Sequence, residues 1–176
     1  MQKLLVVVDM QNDFIDGALG TKEAELIVDN VVKKIAEFDG EIFVTLDTHY
    51  ENYMETFEGK NLPVPHCIKN SNGWKLNSRI NEALADKEYE SVEKITFGSV
   101  KLPSLIKNVI GEDYAEIELV GLCTDICVVS NALILKAAFP EFTIVVDGNC
   151  CAGVTPGKHE AALETMRSCQ IKVIGE

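Results

Sequence analysis

Short apolar runs alternate with helical patterns along the whole chain, and this alternation limits the possible folds more than any other feature. A short continuous apolar run is typical of a strand that is buried on both faces of a sheet. We predict strands at residues 3–9, 41–47, 89–94, 115–121, 142–148 and 171–174. Helices are predicted between them at about 21–38, 76–85, 102–111, 125–138 and 156–168. This order predicts an α/β protein in which one parallel sheet carries helices on both faces, as a single domain over residues 1–176.

The helix predicted at 21–38 shows the amphipathic pattern most clearly. Its apolar residues recur at intervals of three and four, which places them on one face that can pack on the sheet. They are Ala24, Ile27, Val28, Val31, Ile35 and Phe38. The helix predicted at 102–111 has Pro103 near its start and Gly111 past its end, as helix boundaries often do.

The charge and the cysteines exclude several classes of function. The formal net charge of −12 makes nucleic acid and anionic membrane surfaces unsuitable partners. The apolar run before Asp9 is too short for a signal peptide, and no stretch is long enough to span a membrane. We therefore expect a cytoplasmic protein with reduced thiols. The six cysteines contain no Cys-x-x-Cys pair, which argues against a thioredoxin-like motif and a zinc ribbon.

Polar residues follow the predicted strands at their carboxyl ends, where open α/β sheets bind ligands. Asp9 ends the first strand, Asp47 and His49 follow the second, Lys94 ends the third, and Cys127 comes after the fourth. Taken singly, each has a structural explanation: such an Asp is usually a turn residue, a Lys lies on the surface, and a buried Cys fills space. Together at one edge of the sheet, they form a candidate catalytic site.

Three of these residues suit an acyl-transfer reaction that needs no histidine. A free thiol has a pKa of ~8.5, and the amides of a helix N-terminus together with Lys94 would lower the pKa of Cys127. Asp9 could take the thiol proton and later give it to a leaving amine. Backbone amides around Cys127 could hold the oxyanion of a tetrahedral intermediate.

Four stretches resemble the isochorismatase-like cysteine hydrolase superfamily, and within it the nicotinamidases and related amidases. They are VVVDMQNDF, LDTHYENYMETFEGKNLPVPHC, VEKITFG and GLCTDICV. The resemblance covers nearly the whole chain, and it implies a three-layer α/β/α fold with a six-stranded parallel sheet. It also implies a catalytic triad of Asp9, Lys94 and Cys127. A cis peptide bond between Leu122 and Cys123 is implied as well, which turns the Cys123 amide toward the oxyanion beside the amide of Cys127.

A second set of residues resembles the metal site of nicotinamidases. Asp47 and His49 form an Asp-x-His pair, and His66 follows in a proline-rich turn. Mixed carboxylate and imidazole ligands suit a divalent transition metal, and we expect one zinc ion. The fourth ligand varies in this family; here Glu58 is the candidate and Glu55 is the alternative. The competing interpretation is a capping Asp with two histidines on the surface.

The long segment from about Thr48 to Lys75 contains these ligands and few signals of regular structure, and loops of that length are usually functional. Many nicotinamidases have an aromatic residue shortly before the metal-binding histidine, where it stacks on the pyridine ring. This chain has Leu62-Pro63-Val64-Pro65 there, so a weaker hold on nicotinamide is expected. Phe14 is the candidate for the pocket wall.

These features predict a cysteine amidohydrolase that forms a thioester with a small amide, as in the nicotinamidase reaction from nicotinamide to nicotinate and ammonia. One alternative is a family hydrolase of another small amide or carbamoyl compound, and a second is a non-catalytic domain that binds a small molecule. The expected partners are the amide substrate and further copies of the chain in a homo-oligomer, with neither nucleic acid nor a membrane. The third histidine, His159, is expected in solvent on the last helix.

Overall fold

Six parallel strands form the centre of the protein in the computed structural model, which describes residues 2–111 and 113–175. The strands are β1 (Gln2–Val8), β2 (Glu41–Asp47), β3 (Tyr89–Lys94), β4 (Ala115–Leu122), β5 (Thr143–Ala152) and β6 (Lys172–Ile174). Their order across the sheet is β3-β2-β1-β4-β5-β6, and each neighbouring pair is parallel. The chain therefore winds in one direction from β1 to β3 and in the other from β4 to β6.

Helices cover both faces of this sheet. Within the described ranges they are α1 (Asn12–Ile15), α2 (Lys22–Glu37), α3 (Phe57–Asn61), α4 (Ser78–Leu84), α5 (Leu102–Ile110), α6 (Val129–Ala138) and α7 (Pro156–Ser168). Helices α1, α2 and α4 pack on one face, and α5, α6 and α7 pack on the other. The predicted three-layer α/β/α fold with a six-stranded parallel sheet is confirmed. None of the described helices is both long and apolar enough to cross a membrane.

The alternation of side chains along β1 divides the core into two parts. Leu4, Val6 and Val8 pack with α5, α6 and α7, whereas Leu5 and Val7 pack with α2 on the opposite face. All five residues are fully buried. Because both faces of the strand are covered, its sequence is an unbroken apolar run rather than an apolar–polar alternation.

Capping residues explain where two of the helices begin. The Thr21 hydroxyl accepts a hydrogen bond from the Ala24 N–H at 3.0 Å at the start of α2. The Thr155 hydroxyl accepts one from the Lys158 N–H at 3.3 Å at the start of α7, where Pro156 is the first helical residue. Both arrangements satisfy N–H groups that have no partner within the helix.

The structure differs from the sequence prediction in three segments. The Thr48–Lys75 segment contains a 3₁₀ turn at Tyr53–Glu55, and α3 follows it. Helix α1 is absent from the prediction because four residues are too few to show a period. The helix predicted from Asp125 begins as a π-helical turn, Thr124–Val128, and continues as α6.

Gly121 shapes the end of β4 just before the candidate catalytic cysteine. Its φ angle is +118°, a conformation that residues with a side chain rarely adopt. A Cβ atom at this position would also clash with the carbonyl oxygen of Val8 in the neighbouring strand β1. Glycine is therefore required where β4 lies closest to β1.

We expect Gly121→Ala to lower the free energy of unfolding by at least ~2 kcal/mol, because the left-handed conformation alone costs an L-residue about 1–2 kcal/mol and the backbone clash adds to it. Gly157→Ala is the matched control, since a Cβ atom there would meet no atom within 4 Å. Urea unfolding followed by circular dichroism measures both variants. Equal stability of the two would contradict the role assigned to Gly121.

Candidate active site

The carboxyl ends of β1, β2, β3 and β4 bring the predicted catalytic residues to one edge of the sheet. Asp9 follows β1, Asp47 and Lys94 end β2 and β3, and Cys127 lies in the π-helical turn after β4. Asp47 and Lys94 are also paired in the register of the two strands. The site lies beside β1 and β4, where the winding of the chain reverses. Open α/β sheets leave a crevice for ligands at this position.

Lys94 contacts both other members of the predicted triad. Its ammonium nitrogen Nζ lies 2.6 Å from Asp9 Oδ2 and 3.6 Å from Cys127 Sγ. All three residues are buried, with exposed fractions of 4% for Lys94, 0% for Asp9 and 5% for Cys127. Asp9 Oδ2 makes this ion pair but has no hydrogen-bond partner of acceptable geometry within the described residues. That oxygen is therefore available to accept a proton from the thiol.

Two polar residues that the sequence analysis missed hold the carboxylates in place. Thr45 Oγ1 donates a hydrogen bond to Asp9 Oδ1 at 2.6 Å, which leaves Oδ2 facing Lys94. Gln11 holds the backbone of Asp47, since its Nε2 donates to the Asp47 carbonyl and its Oε1 accepts from the Asp47 N–H, both at 2.8 Å. Gln11 lies within VVVDMQNDF, which carries the family resemblance, whereas Thr45 has the sequence context of an ordinary strand residue.

Burial keeps the Cys127 thiol neutral. Burial raises the pKa of Cys127, and Asp9 raises it further, against the smaller opposing effect of Lys94. Lys94 lowers this pKa as expected, but burial and Asp9 outweigh it, so the net shift is upward rather than downward. Burial also raises the pKa of Asp9, although Lys94 opposes the shift, and a raised pKa makes this carboxylate a stronger base. Burial disfavours the charge of Lys94, but Asp9, Cys127 and Asp47 together outweigh that effect and raise its pKa, so the ammonium stays protonated.

The turn after β4 has an unusual backbone. The Leu122–Cys123 peptide bond is cis. The N–H groups of Ile126 and Val128 both donate to the Cys123 carbonyl, at 3.1 and 3.0 Å. These bonds fix the turn that carries the backbone amides of Cys123 and Cys127, the two groups predicted to hold the oxyanion.

Two side-chain contacts tie this turn to the helices that follow. Asn131 of α6 donates from Nδ2 to the Cys127 carbonyl at 2.8 Å. His159 of α7 shares a hydrogen bond with Thr124, with 2.8 Å between Nδ1 and Oγ1. The expectation that His159 lies in solvent is therefore wrong, because the residue is half-buried and holds the start of the turn. Asn131 could be noticed in the sequence only as a polar residue within an otherwise apolar helix.

Asp47, His49 and His66 form a compact cluster at the end of β2, and their ligand atoms all lie within 4.8 Å of one another. Asp47 Oδ2 is 2.9 Å from Nε2 of His49 and 3.4 Å from Nε2 of His66. Glu58 Oε1 lies 3.7 and 3.6 Å from the same two nitrogens. The structure thus brings the four predicted ligands together, whereas the alternative ligand, Glu55, is exposed on the 3₁₀ turn.

This set of donor atoms fits a divalent transition metal. His66 Nδ1 lies 2.8 Å from the Val64 carbonyl, and a hydrogen bond donated from Nδ1–H leaves the lone pair of Nε2 free for an ion. Burial opposes the ionisation of Asp47, but hydrogen bonds with His49 and His66 and the charge of Lys94 outweigh it and hold the pKa well below its usual range. An ionised carboxylate and imidazole nitrogens are ligands that suit zinc.

Tyr53 holds α3, and with it Glu58, against this cluster. Its ring packs edge-on against His49 and His66, with ring centroids 4.8 and 5.1 Å away. Its hydroxyl donates to the Leu62 carbonyl at 2.9 Å, just past the end of α3. Burial raises the pKa of Tyr53 to about 12, so the hydroxyl keeps the proton that this hydrogen bond needs. Tyr53 was not predicted from the sequence as a site residue, although it lies within one of the stretches that carry the resemblance.

A cavity of about 700 Å³ opens beside the cluster and is lined mostly by apolar groups. His49 and Glu58 lie on one side of it, and Ile126, the neighbour of Cys127, lies on another. Phe14, the predicted pocket wall, is not among the lining residues; it is 8% exposed, and its ring packs 5.5 Å from that of His66. The phenyl side chains that do line the cavity are Phe57 and Phe97.

Comparison with known proteins places this arrangement in a family. A model of the isochorismatase domain matches residues 3–175. This chain belongs to the isochorismatase family. The predicted family is therefore confirmed, and with it the prediction of a hydrolase.

Relatives within the isochorismatase family match nearly the full length. The uncharacterized isochorismatase family protein PncA of Bacillus subtilis (strain 168) is 30% identical over an alignment of 173 residues, with a coverage of 93% of each chain. The crystal structure of nicotinamidase/pyrazinamidase PncA from Bacillus subtilis is 27% identical with a TM-score of 0.82, over 99% of this chain and 100% of that one. The pyrazinamidase of Pyrococcus horikoshii, crystallised in complex with zinc, is 25% identical with a TM-score of 0.82 over 100% of both chains.

Iodoacetamide should alkylate Cys127 of this isochorismatase-family protein slowly at neutral pH, because the thiol is buried and its pKa is raised. Cys169 is exposed and is an internal reference that should react first. In Asp9→Asn, a carboxylate that raises the pKa of Cys127 is lost while Lys94 remains, so Cys127 should react several-fold faster. Mass spectrometry of peptides from timed samples measures both thiols. An unchanged ratio of the Cys127 and Cys169 rates in Asp9→Asn would contradict this account of the electrostatics.

Proposed function

We propose that this protein is a cysteine amidohydrolase that converts a small amide into a carboxylic acid and ammonia through a thioester on Cys127. The observation that carries the proposal is one buried ammonium group in contact with both a carboxylate and a thiol: Lys94 Nζ lies 2.6 Å from Asp9 Oδ2 and 3.6 Å from Cys127 Sγ. Similarity to nicotinamidases supports nicotinamide, which would give nicotinate, as a substrate.

The first half of the reaction forms the thioester. Asp9 Oδ2 takes the thiol proton of Cys127 while the sulfur attacks the amide carbon and the carbonyl electrons move to the oxygen. The tetrahedral intermediate then collapses, and the proton on Asp9 passes to the leaving nitrogen, which departs as ammonia. Lys94 stays protonated throughout and stabilises both the forming thiolate and the Asp9 carboxylate.

The second half returns the enzyme to its starting state. Water attacks the thioester carbon, and Asp9 takes a proton from this water. The second intermediate expels the sulfur of Cys127, which recovers its proton from Asp9 as the carboxylic acid is released. In both halves the backbone amides of Cys123 and Cys127 hold the oxyanion. Their turn is fixed by the hydrogen bonds from the Ile126 and Val128 N–H groups to the Cys123 carbonyl and by the hydrogen bond from Asn131 to the Cys127 carbonyl.

We also propose that Asp47, His49, Glu58 and His66 hold one zinc ion, directly or through water. The distances among their ligand atoms and the zinc bound to the related Pyrococcus horikoshii pyrazinamidase support this assignment. Such an ion would offer the substrate a binding point, for instance for a ring nitrogen, beside the thiol.

The runner-up is a family hydrolase of another small amide or carbamoyl compound, which would use the same three residues. A non-catalytic binding domain would not need a buried lysine, Lys94, in contact with both Asp9 and Cys127. Location in the cytoplasm and assembly into a homo-oligomer stay predictions from the sequence.

Cys127→Ala should abolish ammonia release from a panel of small amides while leaving the fold intact, because the substitution removes only one small side chain at the turn. Cys169→Ala is the control and should retain full activity, since this exposed cysteine lies outside the site. A coupled glutamate dehydrogenase assay measures ammonia, and circular dichroism measures folding. Ammonia release by Cys127→Ala at the rate of the unaltered protein would refute the thioester.

Glu58→Gln should weaken zinc binding by at least ~10-fold, because it removes a charge that lies against both histidines. Glu55→Gln removes the same charge from the neighbouring 3₁₀ turn and should leave zinc affinity unchanged. Competition with a chromogenic chelator gives both affinities. Equal effects of the two substitutions would show that Glu58 is not a ligand, and protein that holds no zinc would remove the metal from the proposal.

A further inference from the structure

We infer that the preferred substrate is an uncharged amide whose acyl part carries an apolar group larger than a single six-membered ring. This group would lie on the side chains of Phe57, Leu62, Ile95 and Phe97, which we name the apolar wall. The inference rests on the proposed amide hydrolysis and adds the class of substrate to it.

The apolar wall comes from chain segments that adjoin the candidate active site. Ile95 and Phe97 follow Lys94 at the end of β3, and Ile126, which lines the same cavity, precedes Cys127. His49 and Glu58 border the cavity on the side of the proposed metal site. Asp9, Lys94 and Cys127 are not among the residues that line the cavity; we place the acyl group in it because Ile95 and Ile126, which do line it, directly adjoin Lys94 and Cys127 in the chain.

The size of the cavity argues against a single small ring as its only occupant. Its volume is about 700 Å³. Pockets of roughly 300–1,000 Å³ hold ligands of drug size. A one-ring amide would leave much of the apolar wall uncovered, whereas a substrate with a second ring or a branched alkyl group would cover it.

The exposure of the apolar wall in the unliganded protein supports the same conclusion. The exposed fractions are 85% for Phe57, 65% for Ile95, 48% for Phe97 and 38% for Leu62. Soluble proteins rarely expose several large apolar side chains together unless the patch binds something. Because these four side chains line one cavity together with His49 and Glu58, a small molecule fits them better than the surface of a second copy.

The charges around the cavity select against an anionic substrate. Among the described residues that line it there is no Lys or Arg, and Glu58 is an acid. Lys94, the cation of the predicted triad, already forms ion pairs with Asp9 at 2.6 Å and with Asp47 at 3.5 Å. A carboxylate on the far end of the substrate would therefore find no Lys or Arg side chain in the cavity wall to pair with.

Three matched amides test the inference: nicotinamide, quinoline-3-carboxamide and 6-carboxynicotinamide. The second adds a fused ring while keeping the pyridine nitrogen and the amide in the same relation, and the third adds a carboxylate instead. We expect kcat/KM for ammonia release to be at least ~10-fold higher for the quinoline than for nicotinamide, the discrimination that a modest apolar extension gives in a fitting pocket. The carboxylate should lower kcat/KM by a similar factor.

Three substitutions test whether the apolar wall causes these differences in kcat/KM. Phe97→Ala should bring the ratio of kcat/KM for the quinoline and nicotinamide close to one. Leu26→Ala, which removes an exposed apolar side chain from α2 outside the cavity, should leave that ratio unchanged. Phe57→Lys places a cation in the wall and should raise the relative kcat/KM for 6-carboxynicotinamide.

The outcomes separate this inference from the proposed function. Hydrolysis of nicotinamide with a quinoline-to-nicotinamide ratio at or below one overturns the inference and leaves the proposed function standing. Absence of ammonia from all three amides overturns both. Sedimentation velocity is run on each variant, and an altered ratio in Phe97→Ala that accompanies a change of oligomeric state overturns the inference in favour of a second copy covering the wall.

Discussion

The burial of one ammonium group is the constraint on which the rest of the site depends. Lys94 is 4% exposed at the end of β3, and an unpaired charge at such a depth costs several kcal/mol. Asp9 and Asp47 offset that cost at 2.6 and 3.5 Å, and the Cys127 sulfur completes the surroundings at 3.6 Å. Because Asp47 also contacts His49, the same cation links the proposed catalytic triad to the proposed metal site.

The two carboxylates beside Lys94 differ in character because their other neighbours differ. Asp9 has one further hydrogen bond, from Thr45, and burial leaves its pKa raised. Asp47 meets two histidines in addition to the cation, and its pKa is lowered. One carboxylate is thereby suited to move a proton, and the other is suited to stay ionised as a ligand. The contrast comes from contacts with residues elsewhere in the chain, Thr45 in β2 for Asp9 and two loop histidines for Asp47, so neither assignment follows from the strand that carries the residue.

The sequence is sufficient to predict the features that depend on local residue patterns and on the parallel order of the strands. The apolar run of β1 and the amphipathic pattern of α2 locate elements, and parallel strands necessarily bring Asp9 and Lys94 to one edge. The pKa of Cys127 could not be predicted, because it depends on burial by residues from several strands. The position of His159 could not be predicted either, because its contact with Thr124 joins α7 to a turn more than thirty residues earlier in the chain.

In β3 and the residues just after it, the residue proposed for the reaction is separate from the residues proposed to select the substrate. Lys94 is held by its register opposite Asp47 and by two ion pairs, so its position depends on the sheet. Ile95 and Phe97 come after the strand has ended, and both are largely exposed to the cavity. A change at these two positions alters the surface offered to a substrate without moving the ammonium group. Residues that follow rigid strands can therefore vary with the substrate while the strand ends keep the reaction constant.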